Sequence, residues 1–264
     1  MAETPHSDAP PLALTMGEPA GVGGELSLRA WATARDQTGP FFAIDDPARL
    51  AALAERLGGG VMVEEIAAPA EAATVFARAL PVLAEPLAAP VEPGKPDTVN
   101  AGAVVNSIER ATRLALDGTA AGLVTNPIQK SVLYAAGFEH PGHTEFVAKL
   151  CGDVEPVMML ACEALRAVPV TVHVSLRQAV DSLATETIVR KGRITVKGSN
   201  RNNLFIGYRL CRRSLQYSGL PRKQHQHHRC DPRRQPPAAH TAFAGADTGL
   251  DVLAEPIHRN SQWR

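Results

Sequence analysis

The chain is 264 residues long, 45% hydrophobic and 20% charged, with acids and bases in balance at pH 7; this supports one large core or two smaller ones and excludes disorder throughout. No apolar run approaches the roughly 18 residues that span a bilayer as a helix, and Met1 to Pro11 mixes Glu3, His6 and Asp8 with prolines where a signal peptide would be basic and then apolar, so the expected location is the cytoplasm. The zero charge joins unlike parts: residues 199–264 hold ten Arg and one Lys against three Asp and one Glu, a net +7 that the first 198 residues offset at −7.

Residues 1–11 read as a flexible N-terminus, and from residue 12 to about 198 short β-rich runs alternate with amphipathic segments, the pattern of a mostly parallel sheet covered by helices. Leu12 to Thr15 reads as a first strand, running into a Gly- and Pro-rich turn from Met16 to Gly24 and a helix from about Glu25. Phe41 to Ile44 is the next strand, Ala48 to Leu57 a helix stopped by Gly58-Gly59-Gly60, and Val61 to Ile66 a third strand. The five prolines between Pro81 and Pro96 read as a connection. From Ala103, the residues Val104, Ile108, Ala111 and Ala115 recur at helical spacing opposite Glu109, Arg110, Arg113 and Asp117, and Gly118 ends the segment.

Ala121 to Thr125 reads as a buried strand that delivers Asn126-Pro127, followed by a short helix from Ile128 to Ala136 closed by Gly137. Pro156 to Ala161 and Val168 to Val174 are two more strands, the second predicted to be central and to present His173 near its end. Thr185 to Val189 reads as helical, and the periodicity then fades. The tract from Gln224 to Pro237 has no apolar face to bury and is not expected to join the sheet.

Four places could carry chemistry. The Met16–Gly24 turn permits close backbone approach, and amides at a helix start favour an anion, although a plain structural turn explains it equally well. Gly142-His143-Thr144-Glu145 at a helix entry could hold a polar substrate; Thr144 as a cap and Glu145 as a first-turn acid is the alternative. His173 at the carboxyl end of a buried strand would lie where open α/β sheets bind ligands, or would be a core histidine bonded to a carbonyl. His225, His227, His228 and Cys230 have short spacing but no second paired half, so adventitious metal binding is the plainer reading. Cys151, Cys162, Cys211 and Cys230 show no C-x-x-C spacing and read as free thiols. The arginines of the tail would attract phosphate without sequence preference, and no aromatic platform or recognised module accompanies them, so no nucleic-acid partner is expected.

Taken together and in order, Gly17-Glu18-Pro19-Ala20-Gly21-Val22-Gly23 with Glu25, Asn100-Ala101-Gly102, Thr125-Asn126-Pro127-Ile128-Gln129-Lys130, Ala135-Ala136-Gly137-Phe138, Gly142-His143-Thr144-Glu145-Phe146, Met158-Met159-Leu160-Ala161 and Thr171-Val172-His173-Val174 resemble the signature of the 4-hydroxythreonine-4-phosphate dehydrogenase family over residues 12–198. The resemblance implies a homodimer of two-domain α/β subunits, related in fold to isocitrate and isopropylmalate dehydrogenases, that acts in pyridoxal phosphate (vitamin B6) biosynthesis. It implies hydride transfer from the secondary alcohol of a small phosphorylated amino acid to NAD or NADP. Loss of carbon dioxide from the 3-keto acid then gives 3-amino-2-oxopropyl phosphate, with a divalent metal (Zn, Mg or Co) stabilising charge on oxygen. By resemblance His143 and Thr144 bind substrate, His173 is the first of three metal-binding histidines, and Lys130 and Asn126 are polar contacts in a family-typical turn. No catalytic or cofactor-binding residue is assigned.

The family's second half carries Asn-Pro-His-Ala-Gly-Glu and Tyr-His-Asp-Gln-Gly, with the other two metal ligands, and neither motif occurs in this sequence. His225, His227, His228, His240 and His258 stand in other company and are not taken as replacements. The change of composition near Gly198 reads as translation in another frame, leaving residues 199–264 as a non-matching basic tail, the second domain incomplete and activity impaired. Two other readings are a dehydrogenase for a different four-carbon acid phosphate of the erythronate or threonate type, and a non-catalytic remnant.

Overall fold

The structure, a computed structural model, describes residues 9–162, 165–198, 205–209 and 252–253. The elements run β1 (Leu12–Thr15), α1 (Gly23–Ala34), β2 (Phe41–Asp45), α2 (Pro47–Arg56), β3 (Val63–Ile66), α3 (Ala72–Phe76), β4 (Leu80–Ala84), α4 (Ala101–Leu116) and β5 (Gly122–Thr125). They continue with α5 (Lys130–Ala135), α6 (His143–Leu150), β6 (Val157–Cys162), β7 (Leu165–Ala167), α7 (Leu176–Ser182), α8 (Thr185–Gly198), β8 (Phe205–Arg209) and β9 (Val252–Leu253). The strands form one sheet in the order β3-β4-β2-β1-β5-β9-β8-β6-β7, of which the first five are mutually parallel.

Alternation along these strands divides the core. Ala13 of β1 with Phe42 and Ile44 of β2 faces α4 and α6, where Ile108, Ala111, Phe146 and Val147 are buried. Leu14, Phe41 and Ala43 face the other way, onto Leu28 and Trp31 of α1 and Leu50 and Ala54 of α2. Side chains as fully buried as Phe42, Ile44 and Leu50 each contribute roughly 1.5–3 kcal/mol by leaving water. Local signals fix the helix ends. Asp46 caps α2 by accepting from Arg49 N at 2.9 Å, with Pro47 in the first turn, and Gly58 and Gly59 follow its end at positive φ.

Three stretches differ from the sequence reading. Leu80–Ala84 is a strand where the proline density points to a connection: Leu80, Val82 and Leu83 are buried, and Pro81 costs the strand only its own N–H. The helix α3 before it is too short to show a period. Val168 to Val174 is not a strand. Extended structure ends at Ala167, in an edge hairpin with β6 that pairs Leu160 with Ala167 and Cys162 with Leu165. The β-branched run beyond it is irregular, with Val172 and Val174 exposed; β propensity is realised only where a neighbouring strand and a buried face exist. Past Gly198, β8 pairs in parallel with β6 and β9 joins β5 to β8, so two short runs of the basic tail do enter the sheet. Phe205-Ile206-Gly207-Tyr208 has the aromatic and β-branched content that a net charge obscures. The Gln224–Pro237 tract, the histidines from His225 to His258, and Cys211 and Cys230 lie outside the described residues.

Candidate functional site

The first five strands point their carboxyl ends to one edge, and β1 is paired there with β2 on one side and β5 on the other. Successive crossovers from β1 and β4 thus leave on opposite sides of β1, the topology that opens a ligand crevice in α/β sheets. Two loops leave this edge, Met16–Val22 after β1 and Asn126–Gln129 after β5, and they are packed together. Gly17 has φ +68, and a Cβ there would come within 2.7 Å of both Asn126 Cβ and the Pro127 carbonyl oxygen. Glu18 N donates to Pro127 O at 2.8 Å.

Several of this loop's amides are paired within the scaffold. Met16 N donates to Ser107 Oγ, Ala20 N to Glu18 Oε1, and Gly21 N to Glu18 O. The Glu18 carboxyl sits inside the loop, buried, and that burial raises its pKa against the pull of the Ala20 amide and of Arg49. With its Glu18 N bonded to Pro127 O and its acid buried, the turn acts as a latch between β1 and β5. Asn126 has the same character: its side-chain amide donates to Thr15 O and Ser27 Oγ, each at 2.9 Å, and its N–H to Thr15 Oγ1 at 3.2 Å. That geometry spends the Asn126 amide on the scaffold.

Arg49 secures the latch from α2. Its Nη1 donates to Pro19 O at 2.9 Å, and Nη2 reaches the two oxygens of Asp45 at 2.8 and 2.6 Å. Burial, opposed by the Arg49 guanidinium, leaves the Asp45 carboxyl raised to about 6. A second pair, Arg110 and Glu85 at 2.6 Å, closes the end of β4. Neither pair is legible in the sequence, where Asp45 falls between the strand Phe41–Ile44 and the helix Ala48–Leu57.

Beyond the β5 loop lies a different kind of site. Lys130 opens α5 and His143 opens α6, after the extended Gly142. A methyl group on Gly142 would lie 3.8 Å from Lys130 Nζ and 3.6 Å from Glu145 Oε2, so both side chains approach the start of α6. Phe138, His140 and Phe146 stack beside it, with ring centroids 5.0–5.3 Å apart, and the Tyr134 hydroxyl donates to Pro141 O. The imidazole of His143 is half-buried, and its Nε2 is shielded from solvent without a hydrogen-bond partner among the described residues. Burial, reinforced by the Lys130 charge, lowers its pKa to about 4, so the ring is neutral at pH 7. Thr144 follows it in the first turn, half-buried, and its hydroxyl makes no cap for α6.

His173 stands apart. It lies in an irregular segment at φ +57 with an exposed side chain, not at the end of a strand. No three His, Cys, Asp or Glu side chains converge among the described residues. A zinc centre takes at least three such donors, so the described residues do not by themselves complete one.

The class defined so far is an α/β protein whose mainly parallel sheet presents a neutral histidine beside a lysine past its carboxyl edge. A family model described as pyridoxal phosphate biosynthetic protein PdxA matches residues 37–205, and the chain belongs to that family. It is 51% identical over 197 residues to the 4-hydroxythreonine-4-phosphate dehydrogenase of Methylorubrum populi, covering 71% of this chain and 56% of that one. It is 46% identical over 198 residues to the enzyme of the same name from Caulobacter vibrioides, covering 73% and 58%. Among solved structures, the 4-hydroxythreonine-4-phosphate dehydrogenase of Klebsiella pneumoniae superposes with a TM-score of 0.64 at 30% identity, covering 73% of this chain and 61% of that one. The fold is therefore related to that of isocitrate dehydrogenase. The chain spans rather more than half the length of the curated relatives it matches.

Proposed function

We propose that residues 12–198 carry the substrate-contacting part of an NAD(P)-dependent 4-hydroxythreonine-4-phosphate dehydrogenase, with His143 and Thr144 as the substrate contacts. The observation that carries this is His143 Nε2, shielded and unpartnered at a helix start beside a cation. An imidazole left so in a folded protein forfeits a hydrogen bond that a bound hydroxyl, amine or oxyanion would restore. Neutral His143 can offer Nε2 to such a group without adding charge, and the Thr144 hydroxyl can donate or accept beside it. In the reaction so assigned, the secondary alcohol of the substrate loses hydride to NAD or NADP and a proton to solvent. The resulting 3-keto acid then releases carbon dioxide to give 3-amino-2-oxopropyl phosphate.

His173 is the proposed family metal ligand, and the two motifs that hold its companions do not occur in these 264 residues. Residues 199–264 are proposed to be a stretch read in another frame, on the grounds of the shift to net +7 and of a family match that ends early in this stretch, at residue 205. We accordingly assign the chain substrate binding with impaired turnover, in a cytoplasmic protein whose complete relatives form homodimers. No helix among the described residues is long and apolar enough to cross a membrane.

The test is NAD(P)H formation from 4-hydroxythreonine 4-phosphate with Mg, Zn or Co supplied, compared with a chain whose codons after 198 are restored to the frame that encodes Asn-Pro-His-Ala-Gly-Glu. Substrate binding by both chains and turnover by the restored one supports the proposal. Preference of both for 4-phosphoerythronate, or binding by neither, contradicts it.

A further inference from the structure

We propose that Tyr134 is a positioning residue of the same site: by holding the carbonyl of Pro141, its hydroxyl sets where α6 begins and how His143 is presented to a ligand. The inference rests on the substrate site proposed above and adds to it a residue that itself touches no substrate.

The chain between α5 and α6 has few anchors. No amide from Glu139 to Glu145 donates a hydrogen bond among the described residues; the bonds that flank this stretch are Phe138 N to Leu133 O at 2.9 Å and Phe146 N to Gly142 O at 3.2 Å. Ordering such a stretch costs backbone entropy, so whatever holds it decides its path. The apolar anchor is the ring of His140, packed against Phe138 and Phe146. The polar anchor is the Tyr134 hydroxyl, which donates to Pro141 O at 3.2 Å. No other hydrogen bond reaches residues 139–141 among the described residues.

That bond lies at a point of leverage. Pro141 has a fixed φ, and the peptide that follows it is planar, so holding its oxygen holds the plane that ends in Gly142 N. Gly142 is buried, and the next residue, His143, is the first of α6. One hydrogen bond thus governs the entry of the helix that carries the shielded His143 Nε2. Packing does not account for Tyr134. It is 48% exposed, whereas its neighbour Leu133 is buried, so its ring gains little by leaving water and the hydroxyl contact is its distinguishing feature. Lys130 and Glu145 flank the same helix start, and a change at Tyr134 leaves both in place.

The experiment uses the full chain with carbon-13-labelled histidine, the His143 resonance being assigned by its loss in His143→Gln. Tyr134→Phe deletes the donor and keeps the ring. Ser131→Ala is the comparison, since it breaks another exposed hydrogen bond of α5, from Gln129 to Ser131 at 3.0 Å. The inference expects Tyr134→Phe to move the His143 resonance at pH 7 and to raise its titration midpoint toward the ordinary imidazole value as water reaches the ring. Ser131→Ala should match the wild type in both. Binding of 4-hydroxythreonine 4-phosphate should weaken about threefold to tenfold in Tyr134→Phe and hold in Ser131→Ala, with urea midpoints of all three chains close together. A His143 signal unmoved by Tyr134→Phe overturns the inference, whether or not the urea midpoint falls, and so does an equal change in Ser131→Ala. Substrate binding tells the two proposals apart. If His143 responds to Tyr134→Phe but neither chain binds substrate, the substrate assignment falls and Tyr134 remains the residue that places His143. If the wild type binds substrate and His143 ignores Tyr134→Phe, this inference alone falls.

Discussion

The side-chain amide of Asn126 donates to the backbone oxygen of Thr15 at 2.9 Å, joining the ends of two parallel strands across 111 residues of sequence. The same amide reaches Ser27 Oγ in α1, so one side chain ties β1, β5 and the first helix together. Asn126→Ala leaves both acceptors buried and without this donor, and is expected to destabilise the protein by about 2–4 kcal/mol. Asn126→Asp is expected to cost more, because it sets an acceptor against the Thr15 carbonyl. Urea unfolding curves with unchanged m-values check both.

The contrast between two glycines tests the latch independently. Gly17→Ala forces a side chain onto a backbone at φ +68 and into contact at 2.7 Å with Asn126 Cβ and Pro127 O, and should cost on the order of 2–4 kcal/mol. Gly102→Ala, in the first turn of α4 with nothing within 4 Å, should leave stability unchanged or raise it by up to ~1 kcal/mol. Thermal melts of the two variants side by side give the comparison.

Arg49→Met removes the donor to Pro19 O and leaves Asp45 buried without its partner. At pH 8 the loss should be about 3–5 kcal/mol, as for other broken buried pairs. At pH 5 it should be smaller, because Asp45, whose pKa burial has already raised to about 6, is then buried uncharged. A loss that is the same at both pH values would count against the ion pair as the origin of the effect.

His143 supplies a second pH dependence with the opposite sense. Its folded pKa of about 4 lies below the ordinary imidazole value of 6.5, so between those values the unfolded chain binds the extra proton. The stabilisation from keeping the ring neutral is complete above pH 6.5, falls as pH drops through the window, and is gone below about pH 4. The full span is on the order of 3 kcal/mol. His143→Gln should flatten the stability curve over that window, as measured by denaturant titration at half-unit pH steps.

Much of this fold is legible in the sequence because its signals are local. The Asp46 cap, Pro47 and the glycines after Leu57 mark α2, and the spacing of Val104, Ile108 and Ala111 marks α4. β4 is hidden because its strand character sits in Leu80, Val82 and Leu83 among prolines, and Val168 to Val174 misleads because strand propensity says nothing of a partner strand. His143 and Thr144 are legible as polar residues at a helix entry, and the ordered resemblance is what points to them as substrate contacts. The reasons for Lys130 and Asn126 are non-local in sequence: one faces a helix start thirteen residues on, and the other bonds the end of a neighbouring strand 111 residues earlier. Asn126 reads as a turn residue with a polar contact to offer, and its contacts turn out to be with the scaffold.

The most direct measurement is calorimetric titration of 4-hydroxythreonine 4-phosphate into the 264-residue chain and its His143→Asn variant, with binding of 4-phosphoerythronate as comparison. The account predicts saturable binding to the wild type in preference to the erythronate compound, weakened about tenfold or more in His143→Asn. No binding to the wild type, or equal binding to the variant, would contradict the assignment of this site to the substrate.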